Sequence, residues 1–150
     1  MSVNIPIRPS GEELVRCAEY AAPAARVEAR SVDEDLLARV RALCLALPAV
    51  TERLSHGAPS FFVQGKRAFV MYMNDHHGDG RLALWCKAPP GVQDAFVRMD
   101  RERFFVPPYV GVHGWLGARL DREPDWDLVG EIIRDAYRAS APSRLRARLG

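Results

Sequence analysis

The densest group of side chains able to do chemistry is Asp75-His76-His77-Gly78-Asp79, two imidazoles between two carboxylates. Such a set could bind a divalent metal or move a proton. Metal-binding histidines are spaced so that both rings reach one ion, as in H-x-x-x-H, and adjacent histidines in a turn rarely converge. The turn composition of Asn74–Gly80 explains the same residues as a solvated hairpin tip, which is the expectation here. His56 and His113 each precede a glycine and read as turn residues. Either could serve as an acid or base, but no serine, cysteine or carboxylate stands at a spacing known to pair with them. No G-x-S-x-G elbow surrounds Ser55 or Ser60, and no P-loop or dinucleotide glycine pattern is present. Gly78-Asp79-Gly80 opens a strand rather than a helix start that would hold an anion. The expectation is a protein without catalytic residues, metal ligands or cofactor.

Cys17, Cys44 and Cys86 are odd in number and far apart, with no C-x-x-C pair. Zinc sites need clustered ligands and disulfide frameworks need even sets. Cys44 falls on the apolar stripe of an expected helix and Cys86 alternates with Leu82 and Leu84, so both read as small core residues.

A formal net charge of +2 over 150 residues is a weak footprint for nucleic acid, but its distribution is uneven. Residues 60–120 hold eight basic and five acidic side chains, residues 121–133 one against five, and residues 134–150 five against one. Lys66 and Arg67 lie at a hairpin turn, Arg81 begins a strand and Lys87 ends it. On that strand Ala83, Trp85 and Lys87 share one face, where lysine could meet phosphate and tryptophan could stack on a base. Lys66, Arg67, Arg81, Lys87 and Trp85 are therefore the nucleic-acid candidates. Against them stand Asp75 and Asp79 at the neighbouring tip. Arg138, Arg144, Arg146 and Arg148 form a second basic patch, of a kind that is commonly only solubilising.

The elements that would position these residues are legible in outline. Residues 1–30 form an N-terminal extension, in which Ser10-Gly11-Glu12-Glu13 fits a capping box for a helix over 10–22. Residues 31–150 form the main domain with its basic tail. It opens with a second capping box, Ser31-Val32-Asp33-Glu34, and a stripe of Leu36, Leu37, Val40, Leu43, Cys44 and Leu47 before Pro48. Ser60–Gln64 and Arg67–Met73 read as a hairpin about Gly65-Lys66, with Arg81–Lys87 the returning strand. Val92–Met99 reads as a short helix, Phe104–Val106 and Trp115–Leu120 as strands, and Asp125 as the cap of a last helix. Trp115 and Trp126 are expected to anchor their elements by burial. Strands interleaved with isolated helices, without βαβ alternation, indicate an α+β fold with an antiparallel sheet.

In Arg67–Met73, Ala68, Val70 and Tyr72 alternate with Phe69, Met71 and Met73, so both strand faces are apolar, and Trp85 adds to the second. A two-layer sheet normally leaves one face polar. Phe69, Met71, Met73 and Trp85 are therefore candidates for a face covered by a protein partner, a second copy of the chain or a ligand.

Four signatures run through the middle of the chain: Phe61-Phe62-Val63-Gln64-Gly65-Lys66, Leu82-Ala83-Leu84-Trp85-Cys86-Lys87, Phe105-Val106-Pro107-Pro108-Tyr109 and Gly114-Trp115-Leu116-Gly117. With Leu47-Pro48 they resemble the MmcQ/YjbR-like family over residues 32–140. The resemblance implies a two-layer α+β, double-wing architecture with helices on one face of the sheet, and a DNA-binding role. DNA binding is thus the leading expectation, and a partner or ligand on the second apolar face is the alternative. An enzyme would require His56 or His113 in a pocket with an unforeseen partner. No apolar run approaches the roughly 18 residues of a membrane span, and residues 1–6 lack the basic start and apolar block of a secretion signal, so a cytosolic location is expected.

Overall fold

A computed structural model describes residues 32–149. The extension over 1–30, with its expected helix at 10–22, and Cys17 lie outside the described residues. The chain divides into two units after Ala38. Of the first, residues 32–38 are described, and they are helical; the sheet belongs wholly to the second.

Helix α1 spans residues 32–45. Val40, Cys44 and Leu47 are buried, which is the stripe that the helical period demands. Pro48 follows, and the chain enters strand β1 (Val50–Ser55), then β2 (Ala58–Val63), β3 (Arg67–Asn74) and β4 (Leu82–Cys86). Helix α2 (Val92–Met99) leads to β5 (Phe104–Phe105) and β6 (Leu116–Arg119), followed by α3 (Trp126–Ser140) and the short α4 (Ser143–Arg146). The six strands form one antiparallel sheet in the order β1-β2-β3-β4-β6-β5. No described helix is long and apolar enough to cross a membrane.

Helix α3 starts where Asp125 accepts the backbone N–H groups of Asp127 and Leu128, two donors that would otherwise be unpaired. It buries Val129, Ile132, Ile133, Ala136 and Tyr137. Full burial of each larger apolar side chain contributes about 1.5–3 kcal/mol before chain entropy is counted. Tyr137 meets Phe69 of β3 edge-on, with ring centres 5.8 Å apart, and its hydroxyl donates to the Pro48 carbonyl at 2.7 Å. One side chain thus ties α3 both to the sheet and to the end of α1. Trp126 differs from expectation: it is only partly buried, because it sits at the first turn of α3, where Arg39 lies 4.3 Å over its ring.

The register of β2 on β3 shifts between Phe61 and Phe62. Phe61 faces Val70 but Phe62 faces Ala68, so β3 carries one extra residue, Phe69. Such a bulge turns two successive side chains toward the same side. Phe69 therefore joins Val70 and Tyr72 in the core beneath α3, while Ala68, Met71 and Met73 face away. Strict alternation would group Phe69 with Met71 and Met73, and the bulge corrects that grouping. Strand β1 is an addition to the elements expected from sequence. Its Glu52 pairs with Arg41 of α1 (2.7 Å) and its Leu54 is 70% exposed, the marks of a sheet edge.

Candidate functional site

Antiparallel pairing sets the second face of the sheet residue by residue. Ser55 faces Ala58 and Met73 faces Ala83, and a full cross-strand row runs Ser60, Met71, Trp85, Gly117, Phe105. Ala58, Met73, Ala83, Trp85, Phe105 and Trp115 form one buried apolar cluster, with Ala68, Met71 and Val110 packed against it. Gly117 permits this packing: a Cβ there would lie 2.5 Å from the Phe105 ring. The cluster is distinct from the core under α3, so the sheet carries two apolar faces.

Over this second face lies a cavity of about 670 Å³. Met71, Met73 and Trp85 of β3 and β4 line its apolar side. Its walls come from connections: Ser55 and His56, His76 and His77, and Tyr109 with Val110.

Each connection has a local reason for its shape. His56-Gly57 takes positive φ at both residues (51° and 81°), the two-residue hairpin turn whose twist matches that of the flanking strands. His76–Gly78 is a 3-10 turn between β3 and β4. Asp75 accepts the Gly80 N–H at 2.8 Å and Asp79 accepts the Arg81 N–H at 2.9 Å, so both carboxylates are used to build the loop. The histidines are thereby turned onto the sheet: the His76 ring lies 4.8 Å from Trp85, 4.1 Å from His77 and 6.1 Å from Tyr109. The expected solvated tip is thus only half right, since His76 folds over the sheet.

Tyr109 has φ 63° and ψ −62°, and the Val110 N–H donates to the Pro108 carbonyl at 2.7 Å. That is a γ-turn of the rare, strained hand. Gln93 of α2 holds the same connection, its amide donating to the carbonyls of Gly111 (2.8 Å) and Trp115 (2.6 Å).

Two polar atoms in this region are buried without a hydrogen-bond partner, Nε1 of Trp85 and Nε2 of His76. Both belong to cavity-lining residues. Among the described residues no group of three or more histidines, cysteines or acids is placed to hold a metal ion. Cys44 and Cys86 are buried on the helix side, and burial pushes both thiols up, that of Cys86 to about 12, which disfavours the thiolate that a nucleophile needs.

The cationic candidates are divided between two ends of the sheet. Lys66 and Arg67 are exposed at the start of β3, and Lys87 follows the end of β4 beside them, its N–H bonded to the Phe69 carbonyl. Arg81 is at the opposite end of β4, six residues or roughly 20 Å from Lys87. There its guanidinium lies 4.1 Å over the Phe105 ring. Trp85 is 3% exposed, so its ring faces the cavity cluster rather than a solvent groove. Met71, Met73 and Trp85 are brought together on the second face; Phe69 is not. His56 reaches the cavity, whereas His113 is not among its lining residues. Sequence reasoning missed Tyr109, His77 and Ser55 as wall residues. The signal available was the Pro107-Pro108 pair, which favours a turn at Tyr109; Ser55 ends a strand that the sequence alone does not mark.

Fold and site together define a small α+β protein whose antiparallel sheet is covered by helices on one face and cupped by loops on the other. The YjbR family model matches residues 45–139, and the chain belongs to that family. It is similar to the crystal structure of Deinococcus radiodurans protein DR2400, described as domain DUF419, with a TM-score of 0.58 and 19% identity. That likeness covers 74% of this chain and 85% of the other, and it concerns the fold. No curated protein matches the chain.

Proposed function

We propose that this protein is a binding module that takes a small organic molecule into the cavity on the second face of its sheet. The observation that carries the proposal is the cavity itself: about 670 Å³ over Met71, Met73 and Trp85, with polar groups on its walls. That volume lies in the range of small-molecule sites, which combine an apolar lining with a few convergent polar groups. Backbone strain supports it. Among the described residues seven non-glycine residues have positive φ, and His56, His77 and Tyr109 of these line the cavity while Asp75 adjoins His76. Histidine and aspartate visit this region readily, but a bulky tyrosine does so at a cost, and such residues gather at functional sites. A concave surface favours a small ligand over a protein partner or second copy, either of which would want a flatter patch.

Binding rather than catalysis is the reading, because the buried His76 Nε2 makes no hydrogen bond to a neighbouring acid, base or nucleophile. DNA binding, which the family resemblance suggests, draws on the exposed Lys66 and Arg67 and the half-buried Lys87 at one end of the sheet. It takes second place because Arg81 is remote and Trp85 is covered. If DNA is bound, affinity will fall steeply with salt.

The test is a ligand-observed NMR screen of aromatic fragments against the wild type and Met71→Trp, which sets a bulkier ring on the cavity's apolar floor. Hits that disappear in the variant support the proposal. Hits that bind both proteins equally, or an absence of hits, would contradict it.

A further inference from the structure

We propose that the cavity takes an uncharged aromatic molecule, a flat ring system that carries neither an acid nor an ammonium group. The inference rests on the ligand-binding reading above and adds the chemical class.

The first support is the lining itself. Among the described residues nine line the cavity, and none of them is a lysine, arginine, aspartate or glutamate. The ionic groups of the adjoining segments are used elsewhere. On β1, Arg53 donates to the Gly65 carbonyl at 3.0 Å and lies over Phe62; after the histidine turn, Arg81 lies over Phe105. Asp75 and Asp79 accept backbone N–H groups of their own loop. A charged ligand would therefore give up hydration without meeting a counter-charge, which strongly disfavours it. Ring faces attract cations, but that attraction is smaller than the hydration a buried ion loses. An uncharged ligand loses nothing comparable.

The second support is the abundance of rings. Five of the nine lining residues carry one: His56, His76, His77, Trp85 and Tyr109. His76 is the hub, edge-on to His77, Trp85 and Tyr109 with ring centres 4.1, 4.8 and 6.1 Å apart. A planar ligand can extend such an assembly, each added ring contact being worth roughly two- to tenfold in binding beyond the area it buries. Met71 and Met73 supply two thioethers, which favour aromatic neighbours. The Ser55 hydroxyl and the wall imidazoles suit a neutral hydrogen-bonding substituent.

The competing explanation is that the lining lacks charge merely because it is sheet interior. Four compounds of nearly one shape separate the two: 2-naphthalenemethanol, 2-naphthoate, 2-naphthylmethylammonium and decahydro-2-naphthalenemethanol. Binding would be followed on the full chain through the ¹³C-methyl resonances of Met71 and Met73, at about pH 7.5, where ordinary imidazole is mostly neutral. The aromatic alcohol is expected to bind at least fivefold more tightly than either ion and at least threefold more tightly than its saturated counterpart. The ions are weakened rather than excluded, because His56 and His77 are exposed and leave the mouth open to water. Ser55→Asp, which places a carboxylate on the wall, should improve the ammonium compound relative to the alcohol at least threefold. If that variant does not fold, the wild-type ratios decide on their own. An ion that binds as tightly as the alcohol, or an ammonium-to-alcohol ratio unchanged in folded Ser55→Asp, would overturn the uncharged assignment. A saturated alcohol that binds as tightly would overturn the aromatic one. Each of these results leaves the cavity reading standing. If none of the four compounds shifted Met71 and Met73, the cavity reading would fail and take this proposal with it.

Discussion

Tyr109 shows at the scale of one residue how this chain departs from ordinary backbone economy. Its γ-turn costs of order 1–3 kcal/mol, yet the residue is 71% exposed and gains little from burial. What the conformation achieves is to hold a phenol beside His76 at the cavity wall. Tyr109→Gly is therefore expected to leave stability unchanged or to raise it by about 1 kcal/mol, since glycine adopts positive φ freely. The same change should weaken binding of a naphthalene probe at least threefold. Urea unfolding and fluorescence titration check the two halves, and a stability loss above about 1 kcal/mol would mark the ring as a packing residue. None of this was visible in the sequence, where Pro107-Pro108-Tyr109 reads as a turn and no more. Phe69 escaped for a similar reason. A bulge depends on how two strands pair, and alternation along one strand contains no record of its partner's register. Cys44 and Cys86, by contrast, were legible, because each sits on a stripe whose period alone demands burial.

Among the elements, those with strong local signals were readable and those defined by pairing were not. Helix α3 carries its own cap and a five-residue buried stripe, and its boundaries follow from Asp125 and the apolar period. Strand β1 has two charged residues in six and an exposed Leu54, so it acquires strand character only by pairing with β2. The junction of β4 and β6 depends on a polar clasp. Arg119 donates through Nε and Nη2 to the two oxygens of Asp121, both at 2.9 Å, and the Leu82 N–H donates to the same carboxylate at 3.3 Å. The Arg119 hydrogen bond holds the Asp121 carboxyl below the usual carboxylate range, although burial opposes it. A carboxyl depressed in the folded state stabilises fully above its unfolded value, about 3.9, and that contribution is lost as pH falls through the depressed value. Asp121→Asn should cost about 0.5–1 kcal/mol at neutral pH, as partly exposed pairs do. It should also lose less stability than the wild type as pH falls below about 4. Urea unfolding between neutrality and pH 3 checks this, and parallel profiles would show that the clasp does not contribute.

For the whole molecule, the arrangement of faces matters more than any single motif. The α+β class and the antiparallel sheet were readable from strand and helix order, and the two-sided apolar character of β3 from its sequence. The cavity was not, because it forms where three connections distant in sequence close over β3 and β4. The protein's four methionines permit a direct test of whether that cavity is a binding site. Met71 and Met73 line it, whereas Met99 is exposed on α2. With ¹³C-methyl methionine label, 8-anilinonaphthalene-1-sulfonate should shift the Met71 and Met73 methyl resonances through the ring currents of a bound naphthalene. The Met99 resonance should stay in place. Shifts confined to Met99, or no shift at Met71 and Met73 at saturating probe, would contradict a binding site on the second face of the sheet.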